Sequence, residues 1–311
     1  MEGVVSLNVA VVLPGQGSQF VGMADPWIGH HAASDVLEEA SSAMGLDLVE
    51  ACRDQAALAR TEMVQPAMLA LDVAAFRAFE ATGVAVAGVA GHSLGEFAAL
   101  VAAGVLELRE ALEMVLVRGR AMQAAGDERP GTMTALLGVG AEDAAALCDE
   151  ARGADVLVVA NENSPQQVVI SGSVPAVERA ESLAAGRRIR TVRLDVAGAF
   201  HSALMEPAVE PLSVAIDAAT FSPPRFPVAA NVTGELVRDP AMLRDLLKLH
   251  VVSAVRWERC ARALAGIGVE AFVETGPGDV LTKLAKRATP VVRAFAVGTP
   301  ERAAEVAVEL G

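Results

Sequence analysis

Tyrosine is absent from this 311-residue chain, lysine occurs only at Lys248, Lys283 and Lys286, and aromatic residues amount to 4%. So few rings make stacking platforms for nucleic-acid bases hard to assemble. Positive charge is also scarce: 25 Lys plus Arg face 39 Asp plus Glu, for a formal net charge of −14. Phosphates repel such a chain unless a local basic patch overrides the average, which excludes nucleic acid as a general partner. The three cysteines, Cys52, Cys148 and Cys260, are widely spaced and odd in number. They offer neither a disulfide framework nor CxxC metal spacing, so no metal centre is expected and a reducing cytoplasm is the expected home. No run approaches the ~18 uninterrupted apolar residues of a membrane span. The N-terminal stretch carries Glu2, has no basic segment, and runs straight into a Gly-rich loop. It reads as a first strand, not a signal peptide.

What the chain does have is apolar mass. Hydrophobic residues make up 53% and charged residues 21%, enough for a substantial core and inconsistent with disorder. The length exceeds that of a usual single core, so a large domain with a smaller one is expected. The first strand, about Asn8 to Leu13, leads into Pro14-Gly15-Gln16-Gly17-Ser18-Gln19, whose glycines permit backbone N–H groups to point at a ligand. Residues 32–80 show helical spacing, and Gly83 to Ala90 reads as a buried strand of small residues. Helical pattern resumes, broken near Gly104, with a second helix from about Arg109 to Ala125.

After the turn-rich Gly126 to Gly131 the spacing changes. It gives a strand at 132–139, a helix at 141–152, a strand at 156–160, a turn from Asn161 to Pro165, a strand at 167–171, a helix at 174–185 and a strand at 189–196. That β-α-β-β-α-β order is ferredoxin-like. The expected architecture is an α/β protein in which a small domain at 127–196 is inserted into a large α/β domain formed by 1–126 and 197–311. In the second part of the large domain, a strand from Val228 to Val232, a helix to about Lys248, a helix from Trp257 to Ile267 and a last core strand from Ala271 to Glu274 are expected.

Gly91-His92-Ser93-Leu94-Gly95 lies between the apolar strand and a helical segment. A G-x-S-x-G in that place is a nucleophile elbow, a tight turn that lifts the serine Oγ clear of the sheet. Ser93 is thus the candidate nucleophile, and a serine hydroxyl needs a base. Of five histidines, His30 and His31 sit in a polar segment and read as surface residues. His92 adjoins the nucleophile, so its backbone directs it elsewhere, toward a pocket wall. His201 and His250 remain. His201 follows the small domain's last strand, on a loop joining two domains beside a cleft, and suits a base and a structural role equally well. Arg118 has Arg120 beside it, as a surface helix residue would, but falls in the apolar stretch Val115-Leu116-Val117-Arg118-Gly119, where an unpaired charge is costly, which favours a functional role over a surface one.

Six segments occur in an order that resembles the malonyl-CoA:acyl carrier protein transacylase family, which includes the bacterial fatty-acid enzyme and polyketide synthase acyltransferases. They are Pro14 to Gln19, Gly91 to Glu96, Arg118-Gly119, Asn161-Glu162-Asn163-Ser164-Pro165, Ala199-Phe200-His201-Ser202 and Glu274-Thr275-Gly276-Pro277-Gly278. The resemblance runs from about residue 9 to 287, and the Gly91–Leu100 and Asn161–Gly172 stretches look closest to discrete trans-acting polyketide enzymes. It implies an α/β-hydrolase-like core with an inserted ferredoxin-like subdomain, in agreement with the pattern above.

The resemblance further implies a ping-pong transfer of malonyl from malonyl-CoA, through an ester on Ser93, to the phosphopantetheine thiol of an acyl carrier protein, with no bound cofactor. In that scheme His201 is the base, while Gln16 and the Leu94 N–H stabilise the oxyanion. Arg118 grips the free carboxylate as a two-pronged donor. Gln65 and His92 line the pocket, and Asn161 and Asn163 belong to its wall or cap the turn. Phe200 resembles the malonyl-selective type, its ring leaving little room for an α-methyl. Where His250 stands, the family commonly has Gln or Asn, and Ala254 replaces a usual Pro. The residue at position 250 is implied to orient the catalytic histidine through its main-chain carbonyl, which His250 retains, so no Asp is needed as a third member.

Two other functions would use the same residues. A serine hydrolase or thioesterase releasing free acid is expected to show Ser…Asp…His order. A carrier-protein docking module with a non-catalytic site is opposed by the intact Ser93 and His201. Carrier proteins are acidic, as this chain is, so docking requires a local basic rim. The candidates are Arg187, Arg188, Arg190 and Arg193 at the end of the small domain, and Lys283, Lys286 and Arg287 in the last helix.

Overall fold

The computed structural model describes residues 7–290 and 292–311. The expectation for the N-terminal stretch falls partly on residues 1–6, outside the described residues; the strand itself begins at Val9. Ten strands are found among the described residues: β1 (Val9–Leu13), β2 (Val86–Gly91), β3 (Gly131–Leu137), β4 (Leu157–Ser164), β5 (Gln167–Ser173), β6 (Arg190–Arg193), β7 (Val228–Ala230), β8 (Glu235–Val237), β9 (Ala271–Thr275) and β10 (Arg293–Val297).

Six of them form one sheet in the order β10-β9-β1-β2-β7-β8, parallel except for the β7–β8 hairpin. A parallel sheet has both faces covered, so its central strand is apolar at every position. In β1, Val9, Val11 and Leu13 enter one core while Ala10 and Val12 enter a second on the opposite face. The other four strands form an antiparallel sheet in the order β4-β5-β3-β6. Together with the helices Ala141–Arg152 and Val174–Gly186, it has the ferredoxin-like arrangement read from the sequence. Alternation along these strands divides their side chains. Leu136, Val168 and Ile170 pack on the small unit's own helices, while Met133, Ala135 and Val169 turn to the large core.

Several boundaries differ from the sequence reading. The helix Leu108–Glu128 is continuous and runs past the expected start of the small domain. The turn expected at Asn161 to Pro165 is narrowed to Pro165-Gln166, because β4 continues to Ser164. It does so because register shifts on either side of Asn161 and Glu162 keep these polar residues in the ladder. They also gain a second partner, since Val255 N donates to Ala160 O and Glu162 N to Val255 O, each at 2.8 Å. Ala271–Thr275 is not the last core strand, because β10 adds a parallel edge beside it. The helix Val280–Ala288, which bears Lys283, Lys286 and Arg287, is followed by another, Pro300–Leu310. Among the described residues, no helix is long and apolar enough to cross a membrane.

Candidate active site

The chain leaves the C-terminal ends of β1 and β2 at the same edge of the sheet, where parallel α/β sheets receive ligands. β1 delivers Gly15 and Gln16 there, and β2 delivers His92 and Ser93. Ser93 has a left-handed φ of 50°, a conformation that costs a side-chain-bearing residue roughly 1–2 kcal/mol. Packing enforces it. A Cβ on Gly91 would lie 1.9 Å from the Gly95 carbonyl, and one on Gly95 would lie 2.1 Å from Leu13 O. Gly95→Ala is therefore expected to push the elbow off β1, with a stability loss of at least ~1–3 kcal/mol and loss of reactivity at Ser93. Thermal denaturation and labelling of Ser93 by an acyl donor measure the two effects; an alanine variant with wild-type values in both would contradict the close-packing account.

Ser93 Oγ lies 2.8 Å from His201 Nε2. On the far side of the ring, Nδ1 is 3.1 Å from His250 O and 3.0 Å from Ser253 O. Carbonyls only accept, so Nδ1 carries the proton and Nε2 offers its lone pair to the hydroxyl. His201 is buried and itself left-handed, with φ of 59°. Burial first, then His250 and Arg118, hold its pKa well below the ordinary 6.5. A depressed histidine stays neutral, and hence basic, as pH falls through 6.5. The acid limb of kcat/KM is therefore expected below pH 6.5, and a limb at or above that value would contradict this environment for His201. The same shift makes native stability fall as pH drops below 6.5, because the unfolded chain then binds the proton more readily.

The amides around the elbow are divided between structure and cavity. His92 N donates to Leu13 O and Gly95 N to His92 O, and Ser93 N donates to Asn231 Oδ1 at 2.8 Å. The Leu94 N–H has no protein acceptor among the described residues, and Leu94 lines the cavity together with Gln16. Two such donors beside a nucleophile can receive a developing oxyanion. Asn231, which also donates from Nδ2 to Gly91 O at 2.7 Å, was not singled out from the sequence. Its signal was a polar residue directly after a strand, β7, that pairs with β2.

The cavity has a volume of about 210 Å³. It is bounded by Ser93, His201, Gln16, Leu94, Arg118, Gln65, His92, Phe200 and Asn161, with Met122, Met133, Val169, Val196 and Leu284 among its apolar walls. All the candidate site residues thus meet in one place except His250, which lies behind His201 and reaches it through its carbonyl. His92 lines the cavity, its Nε2 2.8 Å from Asn163 Oδ1. His31 is exposed and His30 half-buried, neither lining the cavity.

Arg118 is 1% exposed. Its Nη1 donates to Gln65 Oε1 at 2.7 Å and its Nη2 to Ser93 Oγ at 3.2 Å, while Nε has no partner among the described residues. Burial pushes its pKa down, but a guanidinium remains charged in proteins. Glu96 does not cancel that charge, because burial raises its carboxyl to about 8. A buried cation with a spare donor, beside a hydroxyl and a neutral imidazole, suits this cavity to an anionic group within reach of Ser93. Near the mouth, the helix Val280–Ala288 contributes Val280, Leu281 and Leu284 to the lining, and Arg287 Nη1 donates to the lining residue Gln167 at 3.0 Å. Of the two basic clusters, Arg187 pairs with Glu150 and Arg193 with Glu181, and Lys283 with Asp279.

Residues 11–306 match the family described as acyl transferase domain. The chain is 40% identical over 307 residues to a malonyl CoA-acyl carrier protein transacylase of Escherichia coli K12, covering 97% of this chain and 99% of that protein. The structure of the malonyl CoA-acyl carrier protein transacylase from Coxiella burnetii superposes with a TM-score of 0.95 at 34% identity, covering 99% of both chains. A malonyl-transacylase solved in complex with a type II PKS acyl-carrier protein superposes with a TM-score of 0.93 at 35% identity, covering 98% of this chain and 100% of the other. The chain belongs to the acyl transferase domain family, as a member of its malonyl-CoA:acyl carrier protein transacylases.

Proposed function

We propose that this chain transfers malonyl from malonyl-CoA to the phosphopantetheine thiol of an acyl carrier protein, in fatty-acid or polyketide synthesis, through an ester on Ser93. The observation that carries the reading is the buried guanidinium of Arg118, bonded to the Oγ of a serine whose other contact is a neutral histidine. In the first half-reaction Ser93 Oγ attacks the thioester carbonyl as its proton passes to His201 Nε2. The oxyanion is met by the Gln16 and Leu94 amides, and its collapse expels the coenzyme A thiolate, which takes the proton back from His201. In the second, His201 removes the proton of the incoming thiol, which attacks the ester; as the tetrahedral adduct collapses, His201 returns that proton to Ser93 Oγ and the serine is regenerated. Arg118 holds the malonyl carboxylate in both, and the Phe200 ring narrows the space beside the α-carbon.

The names of the relatives support the substrate and the acceptor. No cofactor enters these steps. The three cysteines are buried thiols, and burial drives the pKa of Cys52 and Cys148 up to about 12 and that of Cys260 higher still; this fits a cytoplasmic protein. The acidic carrier approaches the rim formed by the helix Val280–Ala288, where Arg287 donates to the lining residue Gln167, so that encounter weakens with salt.

The test is intact mass after incubation with a panel of acyl-CoAs, followed by holo carrier protein. A malonyl adduct that persists alone and is discharged onto the carrier is the expected result. Rapid loss of the adduct to water without carrier would overturn transfer in favour of the hydrolase, and no adduct at all would leave only the docking module.

A further inference from the structure

Behind the cavity lies a buried polar cluster that none of these steps uses. Glu96, in the first turn of the helix Gly95–Ala102, is 2% exposed and His250 is 1% exposed. Glu96 Oε2 accepts the Asn231 N–H at 3.1 Å and lies 3.3 Å from His250 Nε2. The same ring nitrogen is 3.4 Å from Asn231 Oδ1, the oxygen that takes the Ser93 N–H. Both oxygens accept, so Nε2 carries the ring proton, and the partnerless Nδ1 is then a lone pair and not a stranded N–H. Burial raises Glu96 to about 8 and depresses His250, the latter also facing the charge of Arg118 and the ring of His92. The contact is therefore a hydrogen bond between neutral groups, not an ion pair.

Its place in the chain gives it a task. The segment between the helices Pro240–Leu249 and Trp257–Gly266 supplies both carbonyls that hold His201 Nδ1. Its far end is pinned by backbone bonds: Val255 to Ala160 and Glu162, and Arg256 N to Asn231 O at 3.0 Å. Its near end is a short 3-10 turn, His250–Val252. There the polar anchor is the His250 ring, set on edge against the rings of His201 and Phe97 at centroid distances of 5.5 and 6.1 Å.

We propose that Glu96 and His250 are positioning residues, whose side-chain contact ties the turn that holds His201 to the helix that carries the Ser93 elbow and so sets the Ser93–His201 approach. The proposal rests on the Ser93–His201 reading above. It adds a role for the His250 side chain, where the expectation from the sequence concerned only its carbonyl.

The experiment compares full-length wild type with His250→Leu, His250→Met and His250→Gln. It measures quenched-flow acylation by malonyl-CoA, KM for malonyl-CoA and thermal midpoint. Leucine and methionine retain the carbonyl and fill the space but cannot donate, and two apolar replacements guard against one failing to fold. Each is expected to lower the acylation rate per folded molecule on the order of 10²-fold, as displacement of a reacting group by about an ångström does, with KM unchanged. Glutamine, whose side-chain N–H reaches toward the same acceptors, is expected to recover most of the rate. Apolar variants with wild-type acylation, or a glutamine variant as slow as leucine, would overturn the proposal. A wild-type protein that is never acylated would instead overturn the functional reading beneath it.

Discussion

Ser93→Ala is expected to abolish the acyl adduct and to lower malonyl transfer on the order of 10⁶-fold, the scale on which activated serine nucleophiles fail when truncated. The structure makes this a clean substitution. Alanine carries the same Cβ as serine, so the left-handed φ of 50° is no more strained than before. The Ser93 N–H keeps its bond to Asn231. What disappears is one oxygen, at 2.8 Å from His201 Nε2 and 3.2 Å from Arg118 Nη2. Those two groups then face the cavity without their partner, and Arg118 in particular gains a free donor. Binding of malonyl-CoA should therefore persist or tighten while turnover is lost. Intact mass and equilibrium binding on the same preparation separate the two. A malonyl adduct on the alanine variant would show that another residue is the nucleophile.

How much of this was legible beforehand depended on whether the signal was local. The elbow was, because glycine at 91 and 95 around a serine, after a small-residue strand, leaves few geometries open to the chain. The ferredoxin-like unit was, because its strands and helices change period within a few residues. Arg118 was, because a charge among valines and leucines demands a partner. Other features were not local. Asn161 and Asn163 read as pocket-wall or turn residues and lie in a strand, whose outer side beside Asn161 is bridged by Val255, more than ninety positions away. Asn231 lies 138 residues from the Ser93 amide it receives, and no spacing rule reaches that far. The second carbonyl on His201, from Ser253, belongs to the backbone, which leaves no trace in residue type. β10 escaped because Arg293-Ala294-Phe295-Ala296-Val297 is short and begins with a charge, and its pairing with β9 exists only once the parallel sheet is assembled.

Arg118→Ala is expected to cut kcat/KM for malonyl-CoA by roughly a hundredfold, about 3 kcal/mol, as when one partner of a buried hydrogen-bonded charge pair is removed. Acetyl-CoA, which brings no carboxylate, is expected to be used as well as before or better. The asymmetry follows from electrostatics within the cavity. Glu96 is pushed up to about 8 and is largely uncharged at pH 7, and His201 is depressed to neutrality. With Arg118 gone, a malonyl carboxylate would enter a buried site without a counter-charge, whereas an acetyl methyl would find apolar walls. Stability should change little by comparison. The variant strands Gln65 Oε1, which accepts from Nη1 at 2.7 Å, but it also relieves a desolvated guanidinium whose Nε is unpaired, and these effects oppose one another. Arg118→Lys would not restore the wild type, because an ammonium is a point donor and the site uses a planar fork, one tine on Gln65 and the other on Ser93 Oγ. Competition between malonyl-CoA and acetyl-CoA for the same enzyme, read as the ratio of the two adducts, measures the preference directly. If that ratio were unchanged in Arg118→Ala, the carboxylate would have to be held elsewhere in the cavity.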